Sequence, residues 1–230
     1  MTVNSIVLSN QGNKSKLLGE GRTLTVSSGG LILHSAGTSI GEAGNAASGS
    51  IVLGDAEHPA YVWAKGEDPS SPNEIWAKVA APGGFVSAYT GSLVLGGDQR
   101  GIGGELVVNA GTLQLGTATA GCVLARKLPV RVFANATLSC PSEDALHGTV
   151  LKFDGSAGWF GKVDLDSNQS YSRLYVRDYP ETPEWRNLLR GTYGSSESSA
   201  EFVRDDLFTG NGTLIVTSDD IIKPTMLIMR

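Results

Sequence analysis

Apolar and polar positions alternate with a period of two in short runs along the chain, and most of these runs open on a glycine. The phrases are GRTLTVSSGGLIL (21–33), GSIVLG (49–54), GSLVLGG (91–97), GELVVNAGTLQLG (104–116) and GNGTLIV (210–216), with NATLSC (135–140), GTVLKF (148–153) and SRLYV (172–176) as weaker members. A period of two belongs to a strand with one buried face. Each phrase therefore predicts a short strand with Leu, Val or Ile on one side and Thr, Ser or Lys on the other. A lone hairpin of this size is marginal in water, so the units must be layered on one another. Leu24 to Ile51 is 27 positions and Ile51 to Leu93 is 42. These separations predict coils of roughly 20 to 27 residues stacked in one direction, an all-β parallel β-helix, or solenoid. Leu24, Leu31, Leu33, Leu53, Leu93, Leu95, Leu106, Val108, Leu113 and Leu115 then point inward, and glycines take the corners. The alternative architecture is an antiparallel β-sandwich, favoured by the Asp154-Gly155 and Asn211-Gly212 turn dipeptides and by VLKFDGSAGWFGKVDL (150–165) read as a hairpin.

The rhythm divides a single domain. Residues 1–176 read as coils, with a Pro- and aromatic-rich insertion at 55–89 whose loop protrudes from Glu67 to Asn73. Residues 177–230 read as a C-terminal cap carrying Pro180, Pro183, a short helix at Glu184 to Leu189 and a capping-box pattern from Ser198 to Glu201. The last stretch, DDIIKPTMLIMR, reads as one more strand or as a hydrophobic contact element.

Composition agrees with short strands: 30 glycines and 18% charged residues favour turns over long helices. A net charge of -5, with no basic run longer than Arg126-Lys127, gives no electrostatic reason to expect nucleic acid or an anionic membrane as a partner. No apolar stretch approaches a membrane span, and MTVNSIVLSNQGNK lacks the basic-then-apolar layout of a signal peptide, so the chain reads as a mature form or an excised piece. Cys122 and Cys140 are the two cysteines. If a coil held about 18 residues they would stack on neighbouring rungs, roughly 5 Å apart and within disulfide reach. Two buried free thiols is the other reading.

GSLVLGGDQRGIGGELVVNAGTLQLG (91–116) resembles the autotransporter-associated β-strand repeat of large bacterial surface and secreted proteins. Leu93, Leu95, Gly104, Val107, Val108, Gly111, Thr112, Leu113, Leu115 and Gly116 occupy the places of that repeat's pattern, and residues 22–33 share its style. The stretch 174–216 resembles the closing segment of repeat-bearing surface proteins in planctomycete and verrucomicrobial bacteria. The resemblance implies a right-handed, single-stranded β-helix, exported from a bacterium and displayed or released as a passenger region, and it implies no reaction and no cofactor. These 230 residues are not expected to hold the C-terminal membrane barrel of the autotransporter plan.

Candidate chemistry is sparse. A hydrolase acting on uronides needs paired carboxylates, a His and substrate-holding cations. Asp205-Asp206, His147-Gly148 and Arg126-Lys127 are the pieces present, and they run in the reverse of the polygalacturonase order. Asp164-x-Asp166 and Asp219-Asp220 are too short a ligand list for calcium, and His34, His58 and His147 show no metal-ligand spacing. No catalytic or metal residue is therefore assigned. Tyr61, Trp63 and Trp76 bracket the insertion, where rings can stack on the CH faces of sugars or else plug the space beneath it. Trp159 with Phe160, and Trp185 with Tyr193, read as end-cap core. The expected role is a non-enzymatic extracellular or cell-surface module, structural or adhesive, with a polysaccharide or host or matrix glycan as partner, or with self-association through its ends into a filament. The alternative is a polysaccharide-acting enzyme or its carbohydrate-binding accessory domain.

Overall fold

A computed structural model describes residues 1–9, 16–43, 45, 48–66, 68, 70–171 and 173–217, with backbone alone at 16–17. Among these residues every regular element is a β-strand. The segment 184–189, expected as a helix, instead supplies most of the strand Thr182–Asn187, because it pairs antiparallel with Arg173–Tyr179 and local propensity yields to that ladder. The capping-box residue Ser198 also caps no helix. Its hydroxyl donates to the Ser195 carbonyl and accepts from the Ala200 amide, closing a turn. The expected strand in DDIIKPTMLIMR lies outside the described residues.

Among the described residues the strands form five sheets, and the chain visits the three larger ones in turn. A short face has five strands from Thr2–Val3 to Gly101–Ile102, a long face nine from Ile6–Leu8 to Thr182–Asn187, and a third face eight from Lys16–Leu17 to Phe208–Thr209. On all three faces the ladders between successive visits are parallel, and the one antiparallel pair among them joins Arg173–Tyr179 to Thr182–Asn187. Among the described residues the two facing antiparallel layers of a sandwich are not formed. Residues 150–165 are not a hairpin either, since Val150–Ser156 belongs to the long face and Lys162–Leu165 to the third. Asp154 and Gly155 lie inside the first of these strands, paired on both sides at Asp154. The glycine is needed there for a different reason: a β-carbon on Gly155 would overlap the Phe160 ring.

Register stacks like on like. Asn73, Leu93, Leu113, Leu138, Val163 and Phe208 form one inward column of the third face. Leu24, Ile51 and Val79 form one on the short face. The ten residues expected to point inward are all buried, and each such side chain contributes about 1.5–3 kcal/mol on leaving water. Coil length varies more than the sequence rhythm implies. Leu93 to Leu113 is 20 residues, whereas Leu31 to Val62 is 31. The segment 55–89 supplies strands Ala60–Ala64, Asn73–Ile75, Lys78–Ala81 and Phe85–Ala88 to the three faces, and Asn73 is fully buried in its strand.

Corners are built from glycine and from buried amides. Gly111 sits at a φ of 68°, and a β-carbon there would run into the carbonyl oxygens of Gly91 and Tyr89 on the preceding coil. Gln99 is wholly buried; it accepts from the Val79 amide at 2.9 Å and donates to the carbonyls of Ala77 at 3.1 Å and of Gly96. Asn73 and Gln169 do the same at other corners, accepting from Thr38 and Leu146 amides at 3.1 and 3.2 Å. Each gives backbone groups released at a corner the partners they need away from water.

Candidate ligand groove on the long face

The outer side of the long face follows from the inward columns by alternation. Along it, Tyr61, Val86, Val107, Arg131, Lys152 and Tyr175 succeed one another in register, each on the next strand. Small residues between large ones leave an open groove of about 480 Å³, walled by Tyr61 and Trp63 on one side and by Arg131 and Phe133 on the other, over a floor of Val86, Ala88 and Val107. Tyr61 is 48% exposed and Trp63 49%. Both rings stand on the strand Ala60–Ala64, two residues apart and hence on one side of the sheet. A third ring joins them: Tyr89 is 38% exposed, with its centroid 6.4 Å from that of Trp63 and the planes within 23°. Tyr89 has a φ of 83°, a conformation bulky side chains rarely adopt. No sequence signal marks Tyr89 or the opposite wall; only the stacking of coils brings them beside Tyr61 and Trp63.

Trp76 is not part of this surface. It is 5% exposed, follows the third-face strand Asn73–Ile75, and donates its Nε1–H to Glu74 at 3.2 Å. Its ring covers Gly96, where a β-carbon would overlap it. Only its edge reaches a separate cleft of about 330 Å³ shared with Glu42, Lys78 and Asp98. The two other ring pairs also differ from a packed end cap. Trp159 is 71% exposed and Phe160 packs on the core beneath, while Tyr193 is buried and stacks on Phe202, not Trp185.

Beyond Arg131 the groove floor becomes charged. Glu105 accepts from Arg131 at 2.8 Å and from Lys152 at 3.1 Å. Asp154, almost fully buried, is clasped by Arg177 and lies 3.9 Å from Arg131. The carboxylate, by hydrogen bonding, holds the Arg177 guanidinium still more firmly in its charged form. Trp185 roofs this cluster, its ring 4.5 Å from the Arg177 guanidinium and 5.7 Å from Arg131 and from Lys152. A second hollow of about 330 Å³, sharing Asn109 and Phe133 with the first, continues past Asp154 and Arg177 to Tyr179.

The residues considered for catalysis are engaged otherwise. Arg126 Nη2 stands 3.3 Å from His147 Nε2, His147 Nδ1 is 2.8 Å from Ser170 Oγ, and Ser170 donates to Asp144 at 3.1 Å. A guanidinium can only donate, so Nε2 accepts and the imidazole proton sits on Nδ1, directed at the serine oxygen. The imidazole is then a donor to Ser170, the reverse of what a nucleophile's base must be. Asp205 accepts from the Ser196 amide and Asp206 from Arg204, away from that chain. Among the described residues no three His, Cys, Asp or Glu side chains gather as metal ligands.

Cys122 and Cys140 are buried and unbridged. The shortest coils take 20 residues, so a separation of 18 does not return to the same place. Cys140 pairs with Leu165 on the third face, while Cys122 pairs with Gly97 in a separate two-stranded corner sheet. Burial pushes both thiols up and keeps them protonated. Ellman's reagent is accordingly expected to find no reactive thiol in the native protein and both in denaturant; silence in denaturant as well would reveal a bridge.

No protein family, no curated protein and no solved structure matches the chain.

Proposed function

We propose that the chain is a right-handed, single-stranded parallel β-helix serving as a non-enzymatic structural or adhesive module of an exported bacterial surface protein, with carbohydrate met on its long face. The observation that carries this reading is the trio of partly exposed rings, Tyr61 and Trp63 on one strand of the long face and Tyr89 just past the end of the next. Exposed aromatic rings held by paired strands lose little conformational freedom on binding, and their faces suit the CH surfaces of sugars. The likeness of residues 91–116 to the autotransporter-associated repeat supports display outside the cell. The hydrogen-bond direction at His147 and Ser170 weighs against hydrolysis at that cluster.

A glycan panel is the test, read by tryptophan fluorescence and by release of sugar ends. Fluorescence change without new sugar ends is the expected result. Turnover would replace this reading with the enzymatic one, and no response from any glycan would remove carbohydrate as the partner. Trp63→Ala is expected to weaken binding by about tenfold, the loss of one stacked ring, and to leave the melting temperature unchanged.

A further inference from the structure

We infer that the long-face groove takes a stretch of acidic polysaccharide, its rings laid on Tyr61, Trp63 and Tyr89 and its carboxylate or sulfate groups met by Arg131 and Lys152; the inference rests on the glycan reading. Charge is the first argument. Three cations, Arg131, Lys152 and Arg177, share two carboxylates, Glu105 and Asp154, so the cluster keeps a surplus positive charge in a chain whose net charge is -5. A surplus cation beside an apolar wall, partly screened from water by the Trp185 ring, favours an anion that can also offer hydrogen-bond acceptors. The buried Nε of Arg131 has no hydrogen-bond partner, a donor that Glu105 and Asp154 leave unused.

Extent is the second argument. The rings and the cations lie on successive strands of one ladder, from Ala60–Ala64 to Arg173–Tyr179, six strands in all. At about 4.8 Å between neighbours this surface runs roughly 24 Å, the reach of a chain of several sugars and more than a single monosaccharide needs. Aromatic groups recur along it, with Phe133 midway and exposed Tyr179 at the far end. A polymer with a ring and a charge in every repeat matches this alternation of apolar and cationic positions.

The experiment titrates the full chain with oligogalacturonate, with the same oligomer after carboxyl reduction, and with polyglutamate. It uses wild type, Trp63→Ala and Lys152→Gln. Lys152→Gln removes the surplus charge, and Arg131 still pairs Glu105, so the melting temperature is expected to hold. The expected result is binding of oligogalacturonate that weakens with salt and falls about tenfold in each variant, with the reduced oligomer binding about tenfold less tightly and insensitive to Lys152→Gln. Equal binding of the charged and reduced oligomers would overturn the acidic class and leave the glycan reading standing. Tight polyglutamate binding that ignores Trp63→Ala would mark a surface for acidic peptide and overturn the inference. No binding of either oligomer, with other glycans bound, would overturn it too, whereas silence toward every glycan would overturn the reading beneath it.

Discussion

Phe153→Ala is expected to lower the free energy of unfolding by about 3–5 kcal/mol, the range for removing a buried aromatic ring and leaving its cavity. Phe153 is wholly buried on the long face, between Val132 and Val176 in its column. Its ring meets that of Phe208 edge to face, with centroids 5.5 Å apart. Phe208 belongs to the last strand of the third face, which pairs with Val163 after a coil of 45 residues. The pair therefore joins the long face to the segment that closes the C-terminal end. Truncation should loosen that segment first, so limited proteolysis should cut within 180–210 before the rest. Chemical denaturation measures the total, and a loss under about 1 kcal/mol would mean the ring is not holding the closing coil.

Gln99→Leu is expected to cost about as much, through a different mechanism. Leucine has nearly the volume of glutamine and no hydrogen-bonding atoms, so packing is kept while the Val79 amide and the Ala77 and Gly96 carbonyls lose their partner. Each buried group left unsatisfied costs about 1–3 kcal/mol. Gln99→Glu should recover little, since a carboxylate accepts from Val79 but cannot donate to the two carbonyls. Thermal melts of both variants against wild type give the comparison. An unchanged melting temperature for the leucine variant would show that water reaches this corner.

These two positions also mark what the sequence could and could not yield. Leu93, Leu95, Leu113 and Leu115 were legible as core because alternation alone decides which face an apolar residue takes. Gln99 was not, since a polar residue in GGDQRGIGG looks like a solvated loop until the preceding coil supplies Val79 and Ala77. Trp76 flanks the same segment as Tyr61 and Trp63, so the sequence groups all three. Only the absence of a side chain at Gly96, on the following coil, provides the space that buries it. Asp154-Gly155 has the composition of a turn, yet Arg177 on the next strand neutralises the acid and Phe160 fills the space beside the glycine. In the groove, Tyr61 and Trp63 could be read from one strand, but Arg131 and Phe133 come from a later strand and Tyr89 from the bend after Phe85–Ala88. Their meeting is a matter of register, which a single chain's pattern does not encode locally.

The ladders have a mechanical consequence. Within the three faces almost every strand is bonded to the strand one coil earlier and the strand one coil later. A force drawn along the stack would therefore peel bonds one layer at a time instead of shearing many at once. Each release of a layer such as Leu93 to Leu113, 20 residues, frees roughly 70 Å of thread. A molecule of this design yields under tension in separate lengths and, with neighbouring layers still folded as templates, can wind back.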